Sequence, residues 1–512
     1  MSAPSRTVPQ LSTDQRDGQS RKSRTRSDGS RTQRLVETIA PARVRRMARV
    51  AAQEWIPSLL VFVLDVLLFA LIYAGASYLR RDAYFTGPFQ FAVIEIIQLA
   101  VIVQALFIIG GYSPQTETRG LSYTAEHILA MIGALIITAL LIYSAAAFDH
   151  SMKPSRIVLL TSFILFTPLS LYYRRRFRVQ LARAAAGRAF LVLGSGKEAA
   201  DFYEAYRASA NNQRLEFVAL KEEQVGQRIA GAGSPVVQGD LPMKLRTMAR
   251  RYSGIILAER IDRIQPELLD NLIRTQFQRT RVYTLESFYE AQWRQVPAHS
   301  IDPFWPLQAG FQLARTSPYH YAKRIFDMVA AGLGLILLAP VMLLISLLIY
   351  LSNGAPVIFK QRRVGRDDEV FTIYKFRTMR VAHSDGVEAN IYTAANDPRL
   401  FRVGRWLRKL RLDELPQLWN VLNGELSLIG PRAEMIECVE RYREKIPFYH
   451  FRHLVKPGIT GWAQVNYPYG ESEQDALAKL TYDLYYIRHY SLKLDAMILL
   501  KTIYTMVAGK GR

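Results

Sequence analysis

Long apolar runs alternate with basic segments along the first third of the chain. Each run is close to the roughly 20 residues that cross about 30 Å of hydrocarbon, so the runs predict transmembrane helices. They are Ile56 to Tyr78, Phe91 to Gly110, Ile128 to Ala147 and Ile157 to Tyr173. Arginines precede the first run and follow the fourth. By the positive-inside rule, this places both ends of a four-helix transmembrane domain, residues 51–180, on the cytoplasmic side.

The residues before the first apolar run have no hydrophobic period. Residues 1–50 are rich in Ser, Thr, Gln and Arg. This composition predicts a disordered, basic cytoplasmic tail.

A different pattern, short buried runs separated by helical segments, begins at Ala189. The runs AFLVL, LEFVAL, SPVVQGD, SGIILAE and TRVYTLE read as strands of a parallel sheet, which predicts a Rossmann-like domain over 188–290. The turn Gly194-Ser-Gly196-x-x-Ala199, with Glu216 about 20 residues further on, is similar to a dinucleotide fingerprint. A tight strand-to-helix turn without an essential cofactor explains the same residues and is the favoured interpretation.

A fifth long apolar segment, residues 325–351, follows an irregular linker over 291–320. Pro340 lies near its middle and removes a backbone hydrogen bond there. Cations flank both ends, including Arg324 before it and Lys360 after it. We therefore predict a re-entrant helix that bends at Pro340 and returns to the cytoplasmic side; a kinked fifth span is the alternative.

Composition narrows the class of protein. A net charge of +22 accompanies 50% hydrophobic residues, which fits contact with an anionic lipid bilayer better than nucleic-acid binding. Cys438 is the single cysteine, so no intrachain disulfide and no cysteine-based zinc site can form.

Two adjacent acids, Asp413 and Glu414, follow a basic stretch that contains Arg408 and Arg411. A capping role for Asp413 at the start of a helix that ends at Gly424 is one interpretation. The other is chemical, since a carboxylate can attack a phosphoryl group while a second carboxylate binds a metal ion. Arginines next to the pair suit a diphosphate.

The C-terminal region resembles the bacterial sugar transferase family, whose members include large, multi-pass polyprenyl glycosylphosphotransferases of exopolysaccharide synthesis. The matching stretches are KRIFD, VIFKQRRVGRDDEVFTIYKFRTM, LRKLRLDELPQLWNVLNGELSLIGPR, VKPGITGWAQVN and YDLYYI. The resemblance implies a mostly helical, monotopic phosphoglycosyl transferase catalytic domain over 321–512. The expected fold class is thus membrane α plus α/β.

The resemblance also implies a reaction and its participants. A UDP-sugar would donate a sugar 1-phosphate to undecaprenyl (polyprenyl) phosphate, releasing UMP, with Mg²⁺ as cofactor. The implied location is the bacterial inner membrane, with the catalytic domain on the cytoplasmic face. A second copy of the chain and polysaccharide-assembly proteins are candidate partners.

The resemblance assigns roles to individual residues. Asp413 would be the nucleophile, forming an aspartyl phosphosugar, and Glu414 would bind the metal. The residues implied in substrate binding are Arg408, Arg432, Lys375, Arg377 and Asp483. The family's Pro-Arg-Pro sequence is present as Pro431-Arg432-Ala433, so its second proline is missing.

Two other functions are compatible with the front half of the chain. A polytopic nucleotide-sugar dehydratase would need a second glycine-rich turn and a Tyr-x-x-x-Lys pair. Tyr319 and Lys323 have that spacing, but the apolar segment follows at once. A non-catalytic scaffold for polysaccharide assembly would not need the Asp-Glu pair.

Overall fold

The computed structural model describes most of the chain between Trp55 and Val507. The described ranges are 55–80, 88–113, 116–148, 155–185, 188–209, 213–239, 241–246, 252–259, 264–277, 280–297, 310–380, 399–467, 470 and 472–507. The predicted disordered tail lies outside these residues.

Helices dominate the described residues. They are α1 (Trp55–Leu79), α2 (Pro88–Ile108), α3 (Leu121–Ala145), α4 (Arg156–Ala185), α5 (Lys197–Ala208), α6 (Leu241–Arg246), α7 (Pro266–Phe277), α8 (Leu285–Trp293), α9 (Leu313–Thr316), α10 (Pro318–Asn353), α11 (Arg402–Lys409), α12 (Gln417–Asn423), α13 (Ile436–Lys445), α14 (Trp462–Asn466), α15 (Glu473–Arg488) and α16 (Leu492–Val507). Shorter 3₁₀ turns span Glu222–Gln224, Arg366–Asp368, Leu412–Glu414 and Tyr449–Leu454.

The strands form three small sheets. They are β1 (Ala189–Leu193), β2 (Arg214–Val218), β3 (Tyr252–Leu257), β4 (Val282–Thr284), β5 (Ile358–Val364), β6 (Val370–Phe376), β7 (Ser427–Ile429) and β8 (Gly458–Thr460). The first four make a parallel sheet in the order β2-β1-β3-β4, β5 and β6 pair as an antiparallel hairpin, and β7 and β8 pair in parallel.

Four helices in the described part of the chain are long and apolar enough to cross a membrane. They are α1, α3, α4 over Arg156–Arg183, and α10. α2 occupies the second predicted span and is 21 residues long. Over the residues whose side chains are described, its apolar part is Ala92–Ile108. Length and composition thus support three of the four predicted spans in the first domain directly, and α2 lies in the place of the other.

A buried ion pair joins the first and last helices of this bundle. Asp65 on α1 lies 2.5 Å from Arg174 on α4, and both side chains are almost fully buried. The Tyr112 hydroxyl donates a hydrogen bond to Asp65 at 2.7 Å. A charge inside an apolar bundle is tolerated when it is paired, and this pair holds the two helices together.

The predicted parallel sheet is confirmed, with one difference in its elements. The described part of the third predicted strand, residues 234–239, forms only isolated bridges, Val218 with Gln238 and Arg228 with Val236. Pro235 lacks the amide hydrogen that a continuous ladder needs.

Glu216 and the glycine turn each make local contacts within the sheet region. Glu216 lies in the middle of β2 and binds Lys244 and the Tyr252 hydroxyl, each at 2.7 Å. Gly194 has φ +119°, and a Cβ there would lie 2.7 Å from the Ala258 carbonyl oxygen. The turn therefore needs glycine for tight packing on the end of β3.

The long helix α10 is one unbroken helix of 36 residues with Pro340 inside it. Near its start, Lys323 pairs with Asp495 at 2.6 Å. Near its end, Ile345 and Ile349 pack into a cluster with Phe376 at the end of β6 and with Leu407 on α11. Apolar side chains between these contacts are exposed, among them Leu337.

The C-terminal part of the chain forms two helices, α15 and α16. α15 contributes Leu480 and Leu484 to the hydrophobic core of the C-terminal region. α16 packs on the transmembrane bundle, where Lys501 lies 3.8 Å from Glu126 and Lys493 lies 3.8 Å from the centre of the Phe107 ring. The C-terminal region is therefore tied directly to α2 and α3.

Candidate active site

The Asp-Glu pair lies on the 3₁₀ turn Leu412–Glu414, between α11 and α12. Arg411, just before it, adopts a left-handed conformation with φ +56°, which turns the chain sharply after α11. Asp413 does not cap a helix, because α12 begins at Gln417 and its N-cap position is Pro416. The capping interpretation is therefore wrong, whereas the predicted helix end at Gly424 is confirmed by its left-handed φ of +89°. Asp413 and Glu414 therefore do not serve as caps of α12.

Glu414 is surrounded by cations from three different segments. Its carboxylate lies 3.0 Å from Lys375 on β6, 3.6 Å from Arg432 and 4.0 Å from Arg411. Burial by itself raises the pKa of Glu414, but Lys375, Arg432 and Arg411 outweigh burial and lower it to about 2. Glu414 is therefore ionised at any physiological pH.

Asp413 differs from its neighbour in its electrostatics. It is 9% exposed, and burial together with the charge of Glu414 raises its pKa. Lys375 and Arg408 act in the opposite direction and lower the pKa of Asp413. The two acids thus differ: the ionised form of Glu414 is strongly stabilised, whereas Asp413 has a raised pKa and is the more basic carboxylate.

The side chain of Arg408 is oriented by a hydrogen bond to Thr378, just after β6. Its Nε donates a hydrogen bond to Thr378 Oγ1 at 2.9 Å. Gly404, one turn earlier on α11, allows this approach, since a Cβ there would lie 2.2 Å from the Thr378 carbonyl oxygen. The glycine fixes α11, and with it Arg408, against the residues after β6.

Buried Asn420 holds α12 against the hairpin. Its Nδ2 donates to the Thr372 carbonyl oxygen at 2.7 Å, and its Oδ1 accepts from the Tyr374 amide at 3.2 Å. Tyr374 immediately precedes Lys375 in β6. The helix that follows the acids and the strand that carries their main cation are therefore held in register.

Arg377, predicted to bind substrate, lies elsewhere. It is buried, and its guanidinium donates to the carbonyl oxygens of Asn353, Gly354 and Ala355. These are the last residue of α10 and the two residues after it. Arg377 thus ties β6 to the end of the long apolar helix, while Lys375, two residues earlier, faces the acids.

Asp483 reaches the site through intermediates. It is almost fully buried and accepts a hydrogen bond from Arg452 at 3.0 Å. Arg452 also donates to the Arg432 carbonyl oxygen at 3.1 Å. Burial raises the pKa of Asp483 to about 6, although Arg452 opposes this. Asp483 therefore supports the loop of Arg432 from behind, where the family's second proline is replaced by Ala433.

Sequence reasoning did not identify Thr378, Asn420, Arg452 or Gln417 as part of this arrangement. Gln417 is 3% exposed, and its Nε2 has no hydrogen-bond partner in the described part of the chain. It begins α12, three residues after Glu414. An amide buried without a partner beside a reactive pair is a candidate donor to substrate. A polar residue inside an apolar helix, as in LPQLWNVL, is the signal that could have found Gln417 and Asn420.

The carboxylates fit a magnesium ion that is shared with substrate. The described residues contain no group of three or more His, Cys, Asp or Glu side chains that could hold a metal ion alone. Mg²⁺ commonly uses one or two carboxylates together with substrate phosphates, and Asp413 and Glu414 can supply that number.

Known proteins match the same region of the chain. The family model for bacterial sugar transferases matches residues 318–509. The UDP-N-acetylgalactosamine-undecaprenyl-phosphate N-acetylgalactosaminephosphotransferase of Aeromonas hydrophila is 39% identical over 264 residues, which cover 51% of this chain and 61% of that protein. The UDP-glucose:undecaprenyl-phosphate glucose-1-phosphate transferase of Escherichia coli (strain K12) is 45% identical over 193 residues, 37% of this chain and 41% of that protein.

A shorter relative is matched almost entirely. The exopolysaccharide production protein PSS of Rhizobium leguminosarum bv. phaseoli is 40% identical over 195 residues, which cover 37% of this chain and 97% of that protein. By contrast, the matches cover less than two thirds of the Aeromonas and Escherichia proteins. The chain belongs to the bacterial sugar transferase family.

Proposed function

We propose that this protein transfers a sugar 1-phosphate from a UDP-sugar to undecaprenyl (polyprenyl) phosphate. The observation that carries the proposal is the buried pair Asp413 and Glu414, enclosed by Lys375, Arg408 and Arg432. Anionic substrates with two or more phosphate groups need such a set of cations, and phosphoryl transfer to a carboxylate needs a partly desolvated, basic oxygen. The relatives described above support the same reaction. Two are named as transferases to undecaprenyl phosphate, and the third is named as an exopolysaccharide production protein.

The proposed first step is attack by an Asp413 carboxylate oxygen on the phosphorus attached to the sugar. A bond forms between that oxygen and phosphorus, the bond to the bridging diphosphate oxygen breaks, and UMP leaves with the electron pair. In the second step an oxygen of polyprenyl phosphate attacks the same phosphorus, and the acyl phosphate bond breaks. Asp413 is regenerated as a carboxylate, and neither step requires a net proton transfer.

The cations around the two acids have different proposed roles. Lys375 and Arg432 keep Glu414 ionised and lie where oxygens of a diphosphate can be bound. Arg408, held by Thr378, lies near enough to Asp413 to lower its pKa and to contact the transferring phosphate. Mg²⁺, bound through Glu414 and substrate oxygens, would supply neutralisation of the phosphate charge.

The direct test is an assay on membranes that contain the full chain. Polyprenyl phosphate, Mg²⁺ and one UDP-sugar at a time are supplied, and UMP release is followed. The panel should hold the UDP-sugars that relatives use by name, UDP-N-acetylgalactosamine, UDP-glucose and UDP-galactose. UMP release that needs polyprenyl phosphate supports the proposal. A nucleotide-sugar dehydratase would instead change the sugar without releasing UMP, and a scaffold would do neither.

We further propose that α10 enters the bacterial inner membrane and returns, with the catalytic domain on the cytoplasmic face. As a straight helix, its 36 residues would measure about 54 Å, much more than a hydrocarbon core of about 30 Å. Both ends contact the same catalytic region, through Lys323 at one end and Ile349 at the other. Exposed Ile336 and Leu337, before Pro340, would face lipid.

Cysteine labelling can test this topology because Cys438 is the single cysteine and is buried. In a Cys438→Ala background, Lys221→Cys and Lys445→Cys place exposed thiols before and after α10. A re-entrant helix predicts that an impermeant maleimide labels both only after the membrane is opened. Labelling of Lys445→Cys, but not of Lys221→Cys, in intact cells would contradict it, because α10 would then cross the membrane.

The pH dependence of turnover is expected to report Asp413. Its ionised form is the nucleophile, so activity falls as the pH drops through its raised pKa, whereas Glu414, with a pKa of about 2, stays ionised throughout. Lys375 lowers the pKa of Asp413, so Lys375→Met should move the acidic limb of the profile to higher pH. Lys375→Arg keeps the charge and should leave the limb near its original position. An unmoved limb in Lys375→Met would show that another group titrates there.

A further inference from the structure

A second cluster of cations lies at the start of α10, away from the Asp-Glu pair. A shallow cleft there is lined by His320, Lys323, Arg324, Asp327, Ser427, Val455, Lys456 and Tyr490. Arg324 donates to the carbonyl oxygens of Val421 and Leu422, at the C-terminal end of α12. Asp413 and Glu414 precede the opposite end of that helix, about 10 Å away along its axis. The cleft is therefore separate from the candidate active site.

The acidic groups around this cleft are already occupied. Asp327 accepts hydrogen bonds from Ser427 Oγ at 2.7 Å and from the Leu428 amide at 3.2 Å. Lys323 is paired with Asp495 at 2.6 Å. The charge of Asp327 still acts on Lys456, but within the described residues it makes no ion pair with that lysine.

Lys456 differs from Lys323 and Arg324 in its contacts. Within the described residues its ammonium group makes no hydrogen bond or ion pair. A Cβ placed on Gly424 would lie 2.9 Å from Arg324 Nη2 and 3.3 Å from Lys456 Nζ, so the two positive groups are close neighbours. Burial, and then the charges of Arg324 and Arg366, lower the pKa of Lys456, and the charge of Asp327 opposes them only in part. Such a grouping is unfavourable unless an anion joins it.

The position of the cleft indicates which anion would reach it. On the same first turns of α10, Tyr321, Ile325 and Phe326 are exposed. An exposed apolar face beside basic groups is characteristic of the boundary between hydrocarbon and headgroups. A lipid whose chains lie along Ile325 and Phe326 would bring its phosphate to the level of Lys456.

We infer that Lys456, Arg324 and Arg366 form a binding site for the phosphate group of an anionic membrane lipid. Arg324 and Lys456 contribute from the cleft, and Arg366 contributes from the turn of the hairpin between β5 and β6. Arg366 pairs with Asp367 at 3.3 Å and Arg324 donates to two carbonyl oxygens, so in the part of the chain that the structure describes Lys456 is the group that would gain its first direct partner. The phosphate oxygens offer acceptors to all three groups. The occupied site would fix the depth of α10 in the membrane. This inference does not depend on the proposed reaction.

The test uses the full chain in nanodiscs made of phosphatidylcholine with increasing phosphatidylglycerol. Binding is followed as the rise in melting temperature and by native mass spectrometry of retained lipid. Each basic residue near an anionic surface contributes about 1 kcal/mol, so Lys456→Gln should weaken phosphatidylglycerol binding about fivefold. Arg366→Gln should act in the same direction. Lys221→Gln, an equal charge change at an exposed site of the sheet domain, should bind as the wild type does.

Further measurements separate the inference from its competitors. In pure phosphatidylcholine, Lys456→Gln should melt no lower than the wild type, because the substitution removes a cation that its neighbours repel. Equal responses of the wild type, Lys456→Gln and Arg366→Gln to phosphatidylglycerol would overturn the inference. So would stabilisation by inorganic phosphate that matches that of phosphatidylglycerol, since the site would then not select a lipid.

Discussion

Asp413→Asn is expected to reduce UMP release by at least about 10³-fold, because a carboxamide cannot serve as the nucleophile. The substitution keeps the shape of the side chain. It also removes a buried negative charge beside Glu414, so the fold should not be destabilised. The measurement is UMP release with saturating polyprenyl phosphate, accompanied by a thermal melt. Incubation with a donor labelled in the sugar phosphate should give a covalent adduct in the wild type and none in the variant.

A matched control for this prediction is Asp367→Asn. Asp367 is exposed on the turn of the hairpin and has φ +54°, a conformation that Asn tolerates well. It makes exposed ion pairs with Arg315 and Arg366, so its loss should change turnover little. Turnover of Asp413→Asn close to that of Asp367→Asn would remove Asp413 as the nucleophile. The remaining carboxylate at the site, Glu414, would then be the next residue to test.

Arg452→Ala is expected to lower the free energy of unfolding by about 3–5 kcal/mol, because it leaves a buried charge without its partner. Arg452 contacts Asp483 at 3.0 Å and the Tyr449 hydroxyl at 2.5 Å, and it is 5% exposed. The measurement is thermal or denaturant unfolding of the full chain in detergent. Arg207→Ala, at an exposed site of the sheet domain, is the control and should cost less than about 0.5 kcal/mol.

The pH dependence identifies the cause of that loss. Asp483 has a pKa of about 6 in the folded state, above the value of about 3.9 for an exposed carboxyl. Between these values the folded protein holds the proton and the unfolded chain does not, so the contribution of Asp483 to stability falls as the pH rises. Without Arg452 its pKa rises further. The deficit of Arg452→Ala should therefore be largest at neutral pH and shrink in acid, and Asp483→Asn should recover part of it.

A deficit that is independent of pH, or that Asp483→Asn leaves unchanged, would contradict this account. The loss would then come from the cavity that Arg452 leaves or from the missing contact to Arg432. Turnover provides a separate readout, since Arg432 is expected to move when its carbonyl loses the Arg452 hydrogen bond. A higher Michaelis constant for the UDP-sugar is the expected effect.

Local sequence patterns were sufficient to predict secondary structure wherever a segment determines its own conformation. The apolar runs, the parallel strands around Leu191 and the hairpin after Ile358 all follow from hydrophobic period and turn residues. The isolated bridges at residues 234–239 did not follow, because a strand there depends on whether a neighbouring edge supplies hydrogen bonds.

The candidate site divides in the same way. Adjacent acids and nearby cations are visible in the sequence, and the resemblance supplied their expected roles. The sequence does not show which cations contact Asp413 and Glu414. Lys375 and Arg377 are separated by one residue, yet one contacts Glu414 and the other binds the carbonyl oxygens at the end of α10. Asp483 likewise supports the site only through Arg452.

The sequence by itself determined that this is a basic membrane protein with a parallel-sheet region and an Asp-Glu pair in a family motif, because composition, period and motif are properties of neighbouring residues. Only the tertiary structure decided the partners of each charge. It paired Asp65 with Arg174, enclosed Glu414 with Lys375 and Arg432, and left Lys456 beside Arg324 and Arg366. The physical reason is that a charge acts over a few ångströms in space, and residues that lie that close come from distant parts of the chain.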